Sequence, residues 1–168
     1  MKYVLIRVEK SADQEAIGAV ITSAFLEAEY SSGKEAAIVE ILRKADVLTV
    51  SLVATDEAKI IGYVAFSPVN IDGLNDGWFG LGPVAVDPDC QREGIGSALI
   101  EAGLASLKEQ GARGCVVLGE PGYYGRFGFA ADANLILEGV PPEYFQRLSF
   151  DGSSPGGRVD YHPAFGVS

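Results

Sequence analysis

The chain is 168 residues long, 48% hydrophobic and 21% charged, which suits one domain with a sizeable core and excludes general disorder. Against 13 lysines and arginines stand 23 aspartates and glutamates, giving a formal net charge of −10 and a pI near 4.5. A surface that acidic repels phosphate backbones and acidic membrane leaflets, so nucleic acid and membrane are excluded as expected partners and a cationic substrate such as an amine is favoured. Two cysteines, Cys90 and Cys115, and a single histidine, His162, make neither a disulfide framework nor a zinc set. The short apolar run at the N-terminus is broken by Arg7 and does not read as a signal peptide; no run approaches membrane-spanning length. The expected compartment is the cytoplasm.

Residues 3–8 read as a first strand. Ser11-Ala12-Asp13-Gln14 reads as a capping box, with Ser11 as N-cap and Gln14 reaching back. Ile17, Val20, Ile21, Ala24 and Phe25 then recur at helical spacing. Glu27, Glu29 and Tyr30 follow in a loop, and Ser32-Gly33-Lys34-Glu35 reads as a second capping box before a helix buried through Ile38, Ile41, Leu42 and Ala45. Strands are expected at 48–54, at 60–67 with a bulge at Gly62, and at 78–86, joined by short turns into an antiparallel meander. A widely apolar helix over 95–110 ends at Gly111, and 115–118 is a short apolar strand. Strand, helix and strand make a βαβ unit, so the fourth and fifth strands should be parallel and interior. Further on, 134–137 reads as a strand, 140–145 as a turn or short helix, 152–157 as a loop and 158–161 as a last strand. No repeat or linker divides the chain, so a single domain over 1–168 is expected.

The fourth strand carries a defect. Pro83 cannot donate to a ladder, and Gly80 and Gly82 flank it, so the strand should part from its neighbour there. Beyond the parting, Val84 and Val86 point their backbone groups to one edge, where an extended, amide-bearing ligand can act as a strand. An ordinary edge-strand proline explains the defect equally well. After the strand, Asp87-Pro88-Asp89 is turn chemistry, and Gln91-Arg92-Glu93-Gly94-Ile95-Gly96-Ser97 leads into the helix. A helix start bare of side chains presents unpaired N–H groups and the positive end of the macrodipole, which suits a phosphate group. The segment is not a P-loop, having no Lys-Ser or Lys-Thr after its glycines, nor a Rossmann fingerprint, since Leu99 stands where the third glycine belongs. A glycine-rich connection without a ligand remains as the alternative.

Gln91-Arg92-Glu93-Gly94-Ile95-Gly96 after such a strand, with Tyr124-Gly125-Arg126-Phe127-Gly128-Phe129 later, resembles the GCN5-related N-acetyltransferase (GNAT) superfamily. Within it, Gly119-Glu120-Pro121-Gly122-Tyr123-Tyr124 ahead of Arg126-Phe127-Gly128-Phe129 resembles a narrower bacterial branch. The superfamily resemblance covers about residues 3–138, leaving 139–168 as a C-terminal extension. It implies a mixed α/β fold whose central sheet has splayed fourth and fifth strands and helices on both faces. It also implies acetyl-CoA as cosubstrate, no metal, and transfer of the acetyl group to a primary amine by direct attack. By that resemblance the cofactor set is Val84, Ala85, Val86, Gln91, Arg92, Glu93, Gly94, Ile95, Gly96, Ser97 and Arg126, with Arg126 near the ribose 3′-phosphate. Tyr124 is the proton donor by motif position, with Tyr123 as competitor. Glu27, Glu29, Glu120 or water is the base. Many members carry Asn ahead of this tyrosine; Glu120-Pro121-Gly122 stands there instead, so that loop is assigned no cofactor contact. The expected acceptor is a small-molecule amine, and a homodimer is left open. A non-catalytic acyl-CoA sensor and a protein or peptide N-acetyltransferase are the rival functions.

Overall fold

Alternating apolar residues lay down a run of antiparallel strands, and two stretches of helical periodicity cover them, one on each face. The computed structural model describes residues 4–26 and 33–166. In chain order the elements are β1 (Val4–Val8), α1 (Gln14–Phe25), α2 (Glu35–Lys44), β2 (Val50–Asp56), β3 (Lys59–Pro68), β4 (Asn70–Ile71), β5 (Trp78–Val86), α3 (Ile95–Glu109), β6 (Gly114–Leu118), α4 (Pro121–Tyr124), β7 (Ala130–Ala131), β8 (Leu135–Ile136), β9 (Phe145–Ser149) and β10 (Gly157–Asp160). Among these residues seven strands form one mixed sheet in the order β1-β2-β3-β5-β6-β9-β7. Every neighbouring pair in it is antiparallel except β5 and β6, as the βαβ reading requires. A second sheet, β4-β10-β8, anchors the C-terminal segment. No helix among the described residues is long and apolar enough to cross a membrane.

The sheet alternates its side chains between two cores. Val64 and Phe66 of β3 face α3, where Leu99, Ile100 and Leu107 are fully buried. Tyr63 and Ala65 face the other way, against Ile17, Val20 and Ile21 of α1. Each such aliphatic side chain stabilises the fold by about 2 kcal/mol, and together they fix the start of α3 against the end of β5.

Several local expectations change. Asp13, not Gln14, reaches back: its carboxylate accepts from Lys10 N at 2.6 Å and is gripped by Arg7 at 2.7 Å, so α1 follows a short 3-10 turn. The second helix starts at Glu35 behind Lys34, which forms no side-chain cap; Ser32 lies outside the described residues. The β2–β3 register slips between Ala54 and Thr55 and passes over Ile61, so Gly62 is not itself the bulge. A Cβ on Gly62 would meet Leu99 Cδ1 at 3.0 Å, and its glycine serves the approach of α3. The expected strand at 134–137 shrinks to β8. Residues 140–145 do form a 3-10 turn, Pro142–Tyr144, but it opens directly into β9, which pairs with the whole of β6. Only Phe145 and Leu148 of β9 are apolar, and Gln146 is buried with its amide donating to Gly119 O at 3.1 Å. Polar residues inside a covered strand therefore hid its alternation.

Candidate active site

The pairing of β5 with β6 runs Trp78↔Gly114, Phe79↔Cys115, Gly80↔Val116 and then stops. On its other edge β5 stays on β3, but Val84 opposes Val64 while Leu81 opposes Phe66. Gly82 and Pro83, joined by a cis bond, thus stand against Ala65 alone, a bulge that bends the strand. The two central strands diverge at this point and leave a wedge.

Which backbone groups face the wedge follows from one hydrogen bond. Asp87 N donates to Ile61 O at 2.8 Å, so alternation turns Asp87 and Ala85 toward β3 and Val86 and Val84 toward the wedge. The Val86 carbonyl, without a strand partner, accepts from Gln91 Nε2 at 3.1 Å. Gln91 therefore fastens the loop to the strand end. Ala85, expected with the cofactor contacts, has its side chain buried under α1 and offers no backbone group to the wedge.

The loop is wound tightly. Asp87 Oδ1 accepts from Asp89 N at 2.9 Å, and Arg92 and Gly94 take φ of 66° and 84°. Gly94 is the N-cap of α3 with no side-chain cap, so the first-turn amides point outward bare. A Cβ on Gly96 would lie 3.3 Å from Tyr123 Oη, so the space before the helix stays open only without a large side chain. Val86, Gln91, Arg92, Gly94, Ile95, Gly96, Ser97 and Arg126 line one cavity of about 300 Å3, joined by Tyr123 and Cys90. Val84, Ala85 and Glu93 are not in its wall. Arg126 donates to Ser97 Oγ at 3.2 Å, and its guanidinium lies 4.4 Å from the Tyr123 ring centroid. Bare amides and two arginines make this corner positive within an acidic molecule.

The structure separates two tyrosines that adjoin in sequence. Their rings meet edge-on at 5.0 Å. Tyr123 stands over the start of α3, in the wall of the cavity. Tyr124 turns inward, its ring over Gly119 and 6.0 Å from Phe129. Burial, then Tyr123 and Cys115 nearby, push its pKa up to about 12, and its hydroxyl makes no hydrogen bond among the described residues. Cys115 is fully buried and burial pushes its thiol up, the opposite of an activated nucleophile.

On the α2 side a second cavity of about 650 Å3 reaches the same bulge. Its wall is made by Glu35 and Ile38 of α2, Gly82 and Pro83 of β5, Leu118 at the end of β6, and the C-terminal segment through Tyr161, His162 and Phe165. His162 Nδ1 accepts from Ala164 N at 2.9 Å, so that ring nitrogen is engaged by the backbone. Sequence reasoning missed this wall. It left the tail as an extension, and no local pattern tells that β10, clamped to Asp72 through Arg158 N at 2.9 Å, carries it back to the wedge. Glu120, a candidate base, is exposed and lines neither cavity; its carbonyl caps α4 by accepting from Tyr124 N at 3.0 Å. Glu27, Glu29 and Tyr30 lie outside the described residues.

This arrangement can hold a diphosphate at α3, an extended amide-bearing arm along β5 and a second ligand from the opposite side. The acetyltransferase (GNAT) domain family matches residues 48–131. The N-acetyltransferase YhbS of Escherichia coli is 41% identical, over 96% of this chain and 98% of its own. A GNAT family acetyltransferase from Brucella melitensis, crystallised with acetyl-CoA, is 48% identical with a TM-score of 0.88, covering 98% of this chain and 99% of its own. Escherichia coli YhbS crystallised with CoA superposes with a TM-score of 0.91 at 37% identity, over 99% and 94%. The chain belongs to the GNAT family of N-acetyltransferases.

Proposed function

We propose that the protein transfers the acetyl group of acetyl-CoA to a small primary amine by direct attack. The wedge between β5 and β6, ending at a bare helix start, is the observation that carries this reading. The amides of α3, with Arg92 and Arg126, take the pyrophosphate and ribose phosphate. The pantetheine arm pairs with the free edge at Val84 and Val86, which brings the thioester to the bulge. That the two similar structures were crystallised with acetyl-CoA and CoA supports the assignment. In the transfer the amine nitrogen bonds to the carbonyl carbon, the C–S bond breaks and the sulfur leaves as thiolate. The nitrogen sheds one proton to water or a base, and the thiolate gains one. Backbone N–H groups along the free edge of β5 face the developing oxyanion.

Tyr124 supplies the hydrogen bond to the leaving sulfur. With its pKa near 12 the phenol stays protonated, the state a donor needs; it stabilises the thiolate first by donating to it. Cys115, buried and protonated, forms no acyl-enzyme. The acceptor enters by the cavity on the α2 side, whose wall holds Glu35, Glu138 and Asp160, the last two ion-paired with Arg158. In the test, the protein is given acetyl-CoA and a panel of primary amines, and free thiol is followed. The expected result is amine-dependent CoA release. Tight acetyl-CoA binding with no turnover on any amine would overturn it in favour of an acyl-CoA sensor.

A further inference from the structure

We propose that Tyr161, from the C-terminal segment, holds the attacking nitrogen of the acceptor at the apex of the wedge through its hydroxyl oxygen. This rests on the acetyl-transfer reading above and names the residue that selects and orients the amine.

Position comes first. The Tyr161 ring fills the space that a side chain on Gly80 would occupy: a Cβ there would lie 2.7 Å from Tyr161 Cε2, the ring atom next to the hydroxyl-bearing carbon. Gly80 is the last residue of β5 paired with β6. The ring edge next to the hydroxyl thus lies over the last paired residue before the strands part, and the same residue lines the cavity of about 650 Å3 on the α2 side.

The second observation is an unmet hydrogen-bonding demand. Tyr161 Oη is buried and has no hydrogen-bond partner among the described residues. So is Ser67 Oγ, whose residue faces Gly80 in the β3–β5 ladder and therefore projects to the same face as the Tyr161 ring. Buried hydroxyls are nearly always satisfied, because leaving one unpaired forfeits the hydrogen bonds water gave it. Two on the same face beside Gly80 point to a place kept for a polar group. Around it the wall is apolar through Ile38, Leu118 and Phe165, which suits an amine on an apolar body.

The third observation is a neighbouring phenol. Burial raises the Tyr161 phenol far above its ordinary range, with Cys115 and Tyr124 close enough to raise it further. A second protonated phenol, Tyr124, packed in the core on the α3 side, therefore stands near Tyr161. Tyr124 serves the leaving sulfur. Tyr161 accepts an N–H of the incoming amine and so turns the nitrogen lone pair toward the carbonyl carbon.

The experiment is Tyr161→Phe, which removes one oxygen and keeps the ring over Gly80. Wild type and variant are compared with acetyl-CoA and phenethylamine, 1,4-diaminobutane and ethanolamine, together with calorimetric acetyl-CoA binding and thermal unfolding. Expected are a rise of about three- to tenfold in acceptor KM, the worth of one neutral hydrogen bond, unchanged acetyl-CoA affinity, and a Tm equal to or above wild type, because an unpaired hydroxyl has been removed. Unchanged acceptor kinetics in the variant, with an active wild type, overturns the role of Tyr161 alone. A lower Tm does so too, since the hydroxyl then has a structural partner. A wild type that binds acetyl-CoA but acetylates none of the three amines overturns the acetyl-transfer reading, and this assignment with it.

Discussion

At the scale of single residues, the fold sends the adjoining pair Tyr123 and Tyr124 to two different places. Tyr123 lies under the Arg126 guanidinium in the wall of the cavity at the start of α3, while Tyr124 is half-buried beside Cys115 and Phe129. Tyr124→Phe is expected to lower kcat by about 100-fold, the low end for loss of a positioned proton donor, and to leave acetyl-CoA affinity within about twofold by calorimetry. The pH profile gives a second check. Because the folded pKa is raised to about 12, the donor is intact across the neutral and mildly alkaline range, so kcat should show no fall up to pH of about 10, the ordinary tyrosine value. A fall with a midpoint below that value would assign the donor elsewhere.

At the scale of elements, β5 and α3 act as one unit, the strand supplying an unpaired edge and the helix an uncapped start. Gly96→Glu is expected to leave the fold intact, since the tight contact of a Cβ there, 3.3 Å, is with the end of the Tyr123 side chain and not with backbone, and to weaken acetyl-CoA binding by about 100-fold or more as the carboxylate enters the phosphate space. Unchanged calorimetric affinity would refute the loop assignment. This unit was legible in the chain because its signals are local. A proline and its flanking glycines mark where a ladder must stop, and glycines at a helix start leave amides bare, whatever the rest of the molecule does. Strand β9 was not legible, because Gln146 and Arg147 break its apolar alternation and its place depends on β6, some thirty residues earlier. The two-residue strands β4, β7 and β8 are shorter than any periodicity can register. The α2-side cavity was invisible for the same reason: α2, the β5 bulge and the tail that wall it meet only through tertiary pairing.

At the scale of the whole molecule, charge is placed with some economy. Asp13, Asp132 and Asp151 each sit below the ordinary carboxylate range: Asp13 first through Arg7, Asp132 first through the Asn134 amide and then Arg147, Asp151 through Ser153 and then Arg113. A carboxylate depressed in the folded state stabilises above its unfolded pKa and loses that contribution as pH falls through the folded value. Thermal stability should therefore decline below pH of about 4, and Asp132→Asn should flatten the decline by removing one contributor. A Tm profile equally steep in the variant would show that this carboxylate carries none of it. The wedge itself has a kinetic consequence. In the proposed reaction cofactor and acceptor come to it through separate cavities, one before α3 and one on the α2 side, so neither has to depart before the other arrives. Initial velocities measured over a grid of both concentrations should give intersecting reciprocal lines, the mark of a ternary complex; parallel lines would demand a ping-pong cycle, for which the sealed Cys115 offers no acyl carrier.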